Sequence, residues 1–247
     1  MNQRTAFITG ANGAIGQALC AAFHDVGYRV IASDQAETAE GPVDAYIPME
    51  CSRLCHDSDY HDEIINWLRA ELGDGGLHVL INNAAIQIVA PVEKLSVDDW
   101  HTSMDVNLVA PFLLIRAVLS ELKKAKGSVI NIASIHAQLT KPHFTAYATS
   151  KAALVGMTRS LAVELGNRVR VNAICPAAIA TPMLEAGFDD KLQGLDQLAS
   201  YHPSGTLGTT RDIAEAALYL AKVDGLFLNG TVINLDGGIG SRLHDPA

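Results

Sequence analysis

Three side chains in the stretch SIHAQLTKPHFTAYATSK, residues 134–151, could share one reaction: Ser134, Tyr147 and Lys151. Tyr147 and Lys151 stand four apart in a helical pattern, so their side chains share a helix face. A free phenol titrates near ~10, too high to exchange a proton easily at neutral pH. A neighbouring ammonium favours the phenolate. Lowering that value by ~3 units takes roughly 4 kcal/mol of differential interaction, and Lys151 could supply part of it. The pair is therefore a candidate general acid/base, with Ser134 as a hydroxyl partner thirteen residues before the tyrosine. Spacing alone fits a solvated helical pair equally well, so the rest of the chain must decide.

A second chemical signal lies near the start. The segment TGANGAIG, residues 9–16, ends an apolar run and opens a helical pattern. Small residues let the backbone turn tightly and let a diphosphate approach a helix N-terminus, where free N–H groups and the dipole favour anions. The next apolar run ends in Asp34, at the distance where an acid accepts hydrogen bonds from adenosine ribose hydroxyls. A plain structural turn with a solvated Asp34 is the alternative. Against NADP, Asp34 would set a carboxylate beside the 2′-phosphate, at a cost of about 1 kcal/mol or more. No Arg or Lys stands at 33 or 35 to offset it. NAD is the expected cofactor.

The elements that must position these groups alternate. RTAFIT, YRVIAS, DAYIPM, HVLIN, SVINIA, RVRVNAI and TVINL read as strands, rich in Val and Ile. Helical patterns cover roughly 14–26, 58–72, 98–125, 146–166 and 210–223. This order predicts an α/β chain: a doubly wound Rossmann fold, with a seven-stranded parallel sheet and helices on both faces. No linker or internal repeat divides residues 1–247, so one dinucleotide-binding domain is expected. Residues 176–208 show no clean strand and only partial helical periodicity, as a substrate loop at about 177–208 would.

Composition narrows the partners. The 247 residues are about half apolar and 18% charged, with net charge −9. An acidic chain repels phosphate backbones, which argues against nucleic acid. No apolar run approaches the ~20 residues of a membrane span, and no secretory leader is evident. Four scattered cysteines suit a reducing cytoplasm better than a disulfide framework. Cys51, Cys55 and His56 cluster, but no second pair at ligand spacing follows, so no metal is expected.

Taken together, TGANGAIG, Asp34, NNAA at 82–85, Asn107, Ser134, Tyr147-x-x-x-Lys151, PAAIAT at 176–181 and DGG at 236–238 resemble the short-chain dehydrogenase/reductase family over nearly the whole length. The resemblance implies an NAD(P)-dependent oxidoreductase exchanging hydride with a secondary alcohol or ketone. It makes Tyr147 the general acid/base and gives Lys151 a hold on the nicotinamide ribose. Ser134 would bond the substrate oxygen, and Asn107 would position a water in the proton relay. It carries cofactor contacts onto Gly10, Asn12, Gly13, Ala14, Ile15 and Gly16 in the first turn, and onto Asp34, Glu50 and Cys51 at the adenosine end. Asn83, Ala84 and Ala85 follow, then Tyr147 and Lys151, then Pro176, Ala177, Ile179 and Thr181. Ala14, Ala85 and Ala177 stand where the family usually has glycine, and Glu50 where it commonly has Asp.

Substrate positions by the same resemblance are Gln87, Ser134, His136, Phe144, Tyr147, Ala178 and Met183, with Leu184 beside them. Gln87 and His136 resemble residues that 3-hydroxybutyrate dehydrogenases set around a carboxylate. The lysine those enzymes carry three residues before the tyrosine is replaced by Phe144. A small hydroxy acid, a polyol or sugar, an acyl ketone and a cyclic alcohol all stay open. The family also implies a homotetramer or homodimer, built from helices corresponding to 98–125 and 146–166 and the C-terminal strand. The alternatives are an NADP-dependent carbonyl reductase and a non-catalytic NAD-binding scaffold. Four intact catalytic positions argue against the scaffold.

Overall fold

Parallel strands covered on both faces must be apolar at successive positions. In the computed structural model, which describes residues 3–185, 191–223 and 225–243, the apolar runs form such strands. They are β1 (Thr5–Thr9), β2 (Arg29–Asp34), β3 (Ala45–Pro48), β4 (Val79–Asn82), β5 (Ser128–Ile132), β6 (Arg170–Pro176) and β7 (Val232–Leu235). They pair in parallel in the order β3-β2-β1-β4-β5-β6-β7. The expected seven-stranded α/β sheet is therefore present.

The helices are α1 (Ala14–Asp25), α2 (Cys51–His56), α3 (Ser58–Leu72), α4 (Val97–Met104), α5 (Ala110–Ala117), α6 (Leu119–Ala125), α7 (Thr145–Leu165), α8 (Pro182–Glu185), α9 (Lys191–Tyr201) and α10 (Thr210–Lys222). Alternate strand residues choose opposite sides. Ala6, Ile8 and Val30 pack toward Leu19 and Phe23 of α1 and Ile213 and Leu220 of α10. Phe7, Ile31 and Val129 pack with Leu68 of α3, Leu114 of α5 and Leu165 of α7. No single helix among the described residues is long and apolar enough to cross a membrane.

Two helical expectations need correction. Residues 98–125 are not one helix. A π-helical turn, Asp105–Val109, joins α4 to α5, and the chain bends by 62° before α6. Pro111 explains the turn, because it lacks the N–H that an unbroken α-helix would offer to the Asn107 carbonyl four residues back. The 176–208 segment holds α8 and α9 rather than loop alone. No helix spans residues 35–44, so β2 passes to β3 through an irregular link.

Strand order reverses between β1 and β4, since β2 and β3 lie to one side and β5 to β7 to the other. Outside the carboxyl ends of such strands lies the crevice where open α/β sheets bind ligands. The glycine turn follows β1, NNAA spans the end of β4, Ser134 follows β5 and Pro176 ends β6. The topology alone brings the four motifs to one edge of the sheet.

Candidate active site

The turn after β1 is built by close approach. Gly10 has φ +66°, and a Cβ there would lie 2.7 Å from the Ala84 Cα. A Cβ on Gly16 would lie 2.0 Å from the Gly10 carbonyl oxygen. Neither position admits a side chain. Gly13 is different, since its Cβ would sit 3.5 Å from the nearest atom. Ala14 is accommodated because the crowded contacts belong to Gly10 and Gly16. Asn83 braces the turn by donating from Nδ2 to the Thr9 and Gly10 carbonyls (3.0 and 2.9 Å). The Thr9 hydroxyl accepts from the N–H groups of Asn83 and Ala84 (both 3.1 Å). Gly13 caps α1 without a side-chain bond, and no acidic residue occupies the first helical turn. The N-terminal N–H groups are thus left for an anion, and the cradle fits a dinucleotide diphosphate. Ile15 packs partly into the core beneath.

At the end of β2 the Asp34 carboxylate accepts from the N–H groups of Asn12 (3.0 Å) and Gln35 (2.8 Å). Each oxygen keeps acceptor capacity for a ribose hydroxyl. Glu50 caps α2: its N–H donates to the Tyr60 hydroxyl (2.9 Å) and its carboxylate accepts from Ser52 (2.9 Å). Burial pushes the Cys51 thiol up to about 12, so it stays protonated. Among the described residues no group of three His, Cys, Asp or Glu could hold a metal. The Cys55 thiol and the His56 ring both turn to Asp105 instead.

Ser134, Tyr147 and Lys151 do come together. Ser134 follows β5 in extended backbone, and its hydroxyl oxygen accepts from the His136 N–H (3.2 Å). Its proton remains available to a second partner. Lys151 is 2% exposed and its Nζ donates to the Ile132 carbonyl (2.8 Å). The same Nζ lies 5.7 Å from the centre of the Tyr147 ring. Burial lowers its pKa from 10.5 to about 8.

The phenol departs from expectation. Desolvation pushes the Tyr147 pKa up, and the Ser134 hydroxyl only partly counters it. Lys151 does not pull it down, since its ammonium sits toward the ring and the Ile132 carbonyl.

Asn107 is 1% exposed, inside the π-turn. Its Oδ1 accepts from Ile86 N–H, and its Nδ2 donates to the Ile86 carbonyl and the Ser150 hydroxyl, all at 2.9 Å. Ser150 in turn donates to the Tyr147 carbonyl (2.8 Å). The amide therefore locks the segment after β4 to α7. Ser150 was missed from sequence, where nothing but its place beside Lys151 marks it. Cys175 was missed too. It lies at the end of β6, 1% exposed and packed with Ala133, Leu154 and Val155. Its thiol is raised by burial.

The substrate positions divide. The His136 and Phe144 rings stack in parallel with centres 4.5 Å apart, and His136 meets Tyr147 edge-on at 5.7 Å. Lys141 Nζ lies 4.7 Å from the Phe144 ring centre. Burial, then the Lys141 charge, lowers the His136 pKa. Ala85 and Gln87 are exposed beyond β4. Ala177 donates to the Leu235 carbonyl (2.9 Å), and the Ala178 carbonyl accepts from Gly208 (3.0 Å). Ile179 bridges to Gly208. The Thr181 hydroxyl accepts from Leu184 N–H (3.3 Å), at the start of α8. The side chain of Met183 lies outside the described residues. A cavity of about 420 Å³ opens between residues 177–179, 204–208 and 234–238.

Known proteins agree with this architecture. Residues 10–240 match a family model described as enoyl-(acyl carrier protein) reductase. The D-beta-hydroxybutyrate dehydrogenase of Rhizobium meliloti is 30% identical over 256 residues, spanning 95% of this chain and 98% of the relative. The ligand-free aldohexose dehydrogenase of Thermoplasma acidophilum has TM-score 0.90 at 28% identity, covering 100% of this chain and 97% of its own. A 4-hydroxyisoleucine dehydrogenase structure complexed with NADH has TM-score 0.86 at 30% identity, covering 98% and 100%. ElxO, solved with NADP bound, has TM-score 0.85 at 26% identity with the same coverage. With its parallel sheet, glycine cradle and Ser-Tyr-Lys grouping, the chain belongs to the short-chain dehydrogenase/reductase family of oxidoreductases.

Proposed function

We propose that the protein is an NAD-dependent dehydrogenase of a small secondary alcohol, or reductase of the matching ketone, with Tyr147 as general acid/base. The observation that carries this reading is the convergence of Ser134, Tyr147 and Lys151 at the sheet edge that also carries the glycine cradle. Residues 10–16 and Asn83 to Ala85 would hold the diphosphate side. Asp34, Glu50 and Cys51 would hold the adenosine, and Lys151 with Pro176, Ala177, Ile179 and Thr181 the nicotinamide end. Bound there, a nicotinamide supplies the two-electron chemistry and, when oxidised, a positive charge beside the phenol.

The chain's own groups do the rest. Tyr147 takes the alcohol proton in oxidation and returns it in reduction. Ser134, whose hydroxyl bonds the phenol, would turn its proton to the substrate oxygen. Lys151, with its pKa lowered by burial to about 8, stays mostly protonated at neutral pH but gives up its proton more easily than a lysine in water, and passes the proton on. The relay water rests on the Asn107 main chain rather than its amide, whose groups are taken by Ile86 and Ser150. Pro111 leaves that Asn107 carbonyl without its α-helical donor. The His136–Phe144 stack, with Gln87 and Ala178, would form the substrate wall.

We read residues 1–247 as one domain, with the cytoplasm as its compartment. A homotetramer is the assembly proposed. Phe112 on α5, Val163 on α7 and Phe227 before β7 expose apolar side chains, which supports association. Light scattering measures it.

Tyr147→Phe tests the proton role. The variant should keep NADH binding, followed by fluorescence, and lose turnover across a panel of hydroxy acids, polyols and cyclic alcohols. More than about a tenth of the wild-type rate would refute the role. The same panel, run with NAD and NADP, decides cofactor preference by kcat/KM.

A further inference from the structure

The helix-free link 35–44 is clasped to the glycine turn. Asn12 Nδ2 donates to the Thr38 carbonyl, and Asn12 Oδ1 accepts from the Glu40 N–H, both at 2.8 Å. Gln17 Nε2, from α1, donates to the Glu40 carboxylate (3.0 Å) and to the Asn12 carbonyl (2.8 Å). The Tyr46 hydroxyl, from β3, donates to the Ala36 carbonyl (2.6 Å). The link is thus a strap drawn over the end of β2, with Glu40 fixed by two groups rather than left to solvent.

The strap is acidic. Asp34, Glu37 and Glu40 all act on the Tyr46 phenol, where burial and their charges raise its pKa. Between residues 9 and 52 Arg29 is the only Lys or Arg. It begins β2, at the end opposite Asp34, and is bound to Glu71. No cation in this stretch of sequence reaches the strap end to neutralise it.

We propose that Glu40, seated by Asn12 and Gln17, is a second cofactor-discriminating carboxylate, so that the strap rejects a 2′-phosphate that Asp34 alone would only disfavour. This rests on the NAD reading above. Ribose hydroxyls are neutral and lose nothing near Glu40. A 2′-phosphate brings up to two negative charges to a strap end that already holds three carboxylates, where repulsion is felt across several ångströms and fades with salt.

Equilibrium titration of NADH and NADPH fluorescence reads this without turnover. Glu40→Gln should tighten NADPH about three- to tenfold and move NADH less than about twofold. The gain should shrink in about 0.5 M salt. Gln17→Ala should shift the NADPH/NADH ratio the same way by less, because it frees Glu40 without removing its charge. It should add nothing in a Glu40→Gln background, which a purely structural effect of Gln17 would not predict. If Glu40→Gln leaves NADPH affinity unchanged while Asp34→Asn raises it, Asp34 discriminates alone and the proposal falls, with the NAD reading intact. A wild-type protein that binds NADPH more tightly than NADH overturns the NAD reading and this proposal together.

Discussion

Replacing Lys151 by Met should make the apoprotein more stable while abolishing its chemistry. Lys151 is 2% exposed, and burial takes its pKa from 10.5 to about 8. A drop of that size corresponds to about 3 kcal/mol, the cost of keeping the ammonium inside the fold at neutral pH. Met fills a similar volume with no charge. The substitution gives up the bond from Nζ to the Ile132 carbonyl. Such a bond contributes about 1 kcal/mol net. The variant should therefore gain about 2 kcal/mol at neutral pH, or about 4–8 °C in Tm for a chain of this size.

The pH dependence separates this cause from ordinary repacking. Below the folded-state value of about 8, both folded and unfolded wild type carry the proton, and the penalty is constant. Between about 8 and 10.5 only the unfolded chain holds it, so wild-type stability climbs with pH. Above 10.5 the penalty has gone. Thermal melts of both apoproteins, followed by circular dichroism in steps from neutral to alkaline pH, should show the gap closing across that window. A variant less stable than wild type at neutral pH, or a gap that stays constant with pH, would refute the idea that Lys151 is held charged at a cost.

Gly16→Ala should weaken NADH binding more than about a hundredfold, since its Cβ would meet the Gly10 carbonyl at 2.0 Å, whereas Gly13→Ala should change it only a few-fold. Fluorescence titration checks both, and equal losses would show that crowding is not what sets the cradle. Asn107→Ala should cost about 3 kcal/mol in urea unfolding, because it strands the Ile86 groups and Ser150. A loss below about 1 kcal/mol would mean that the lock does not hold the segment after β4. Lys141→Gln should raise the His136 pKa by removing a repelling charge, read as a shift of the imidazole titration to higher pH by NMR. An unmoved midpoint would mean that burial alone lowers it.

The strands were legible because a parallel sheet covered on both faces demands consecutive Val and Ile, and little else in the chain offers them. Motif order then placed Asp34, Ser134 and Tyr147 at one edge, since each ends or follows a strand. The broken helix was legible in part. Pro111 lies four residues after Asn107, and a missing donor at that spacing is itself a signal for a distorted turn. The α9 helix was hidden because KLQGLDQLASY carries a glycine and a weak apolar stripe. The electrostatics of the pair were not legible at all. Spacing says that an ammonium lies one helical turn from a phenol, which argues for a depressed phenol. The fold buries both, with Cys175 near each, and turns the ammonium to the Ile132 carbonyl. Desolvation then raises the phenol above 10.0 and lowers the lysine from 10.5 to about 8, so their pKa values move apart and the lysine now releases its proton before the phenol does. Burial by itself therefore favours a neutral phenol, and under the proposed function it is the positive charge of an oxidised nicotinamide, bound beside Tyr147, that would have to bring the phenol down for it to act as a base.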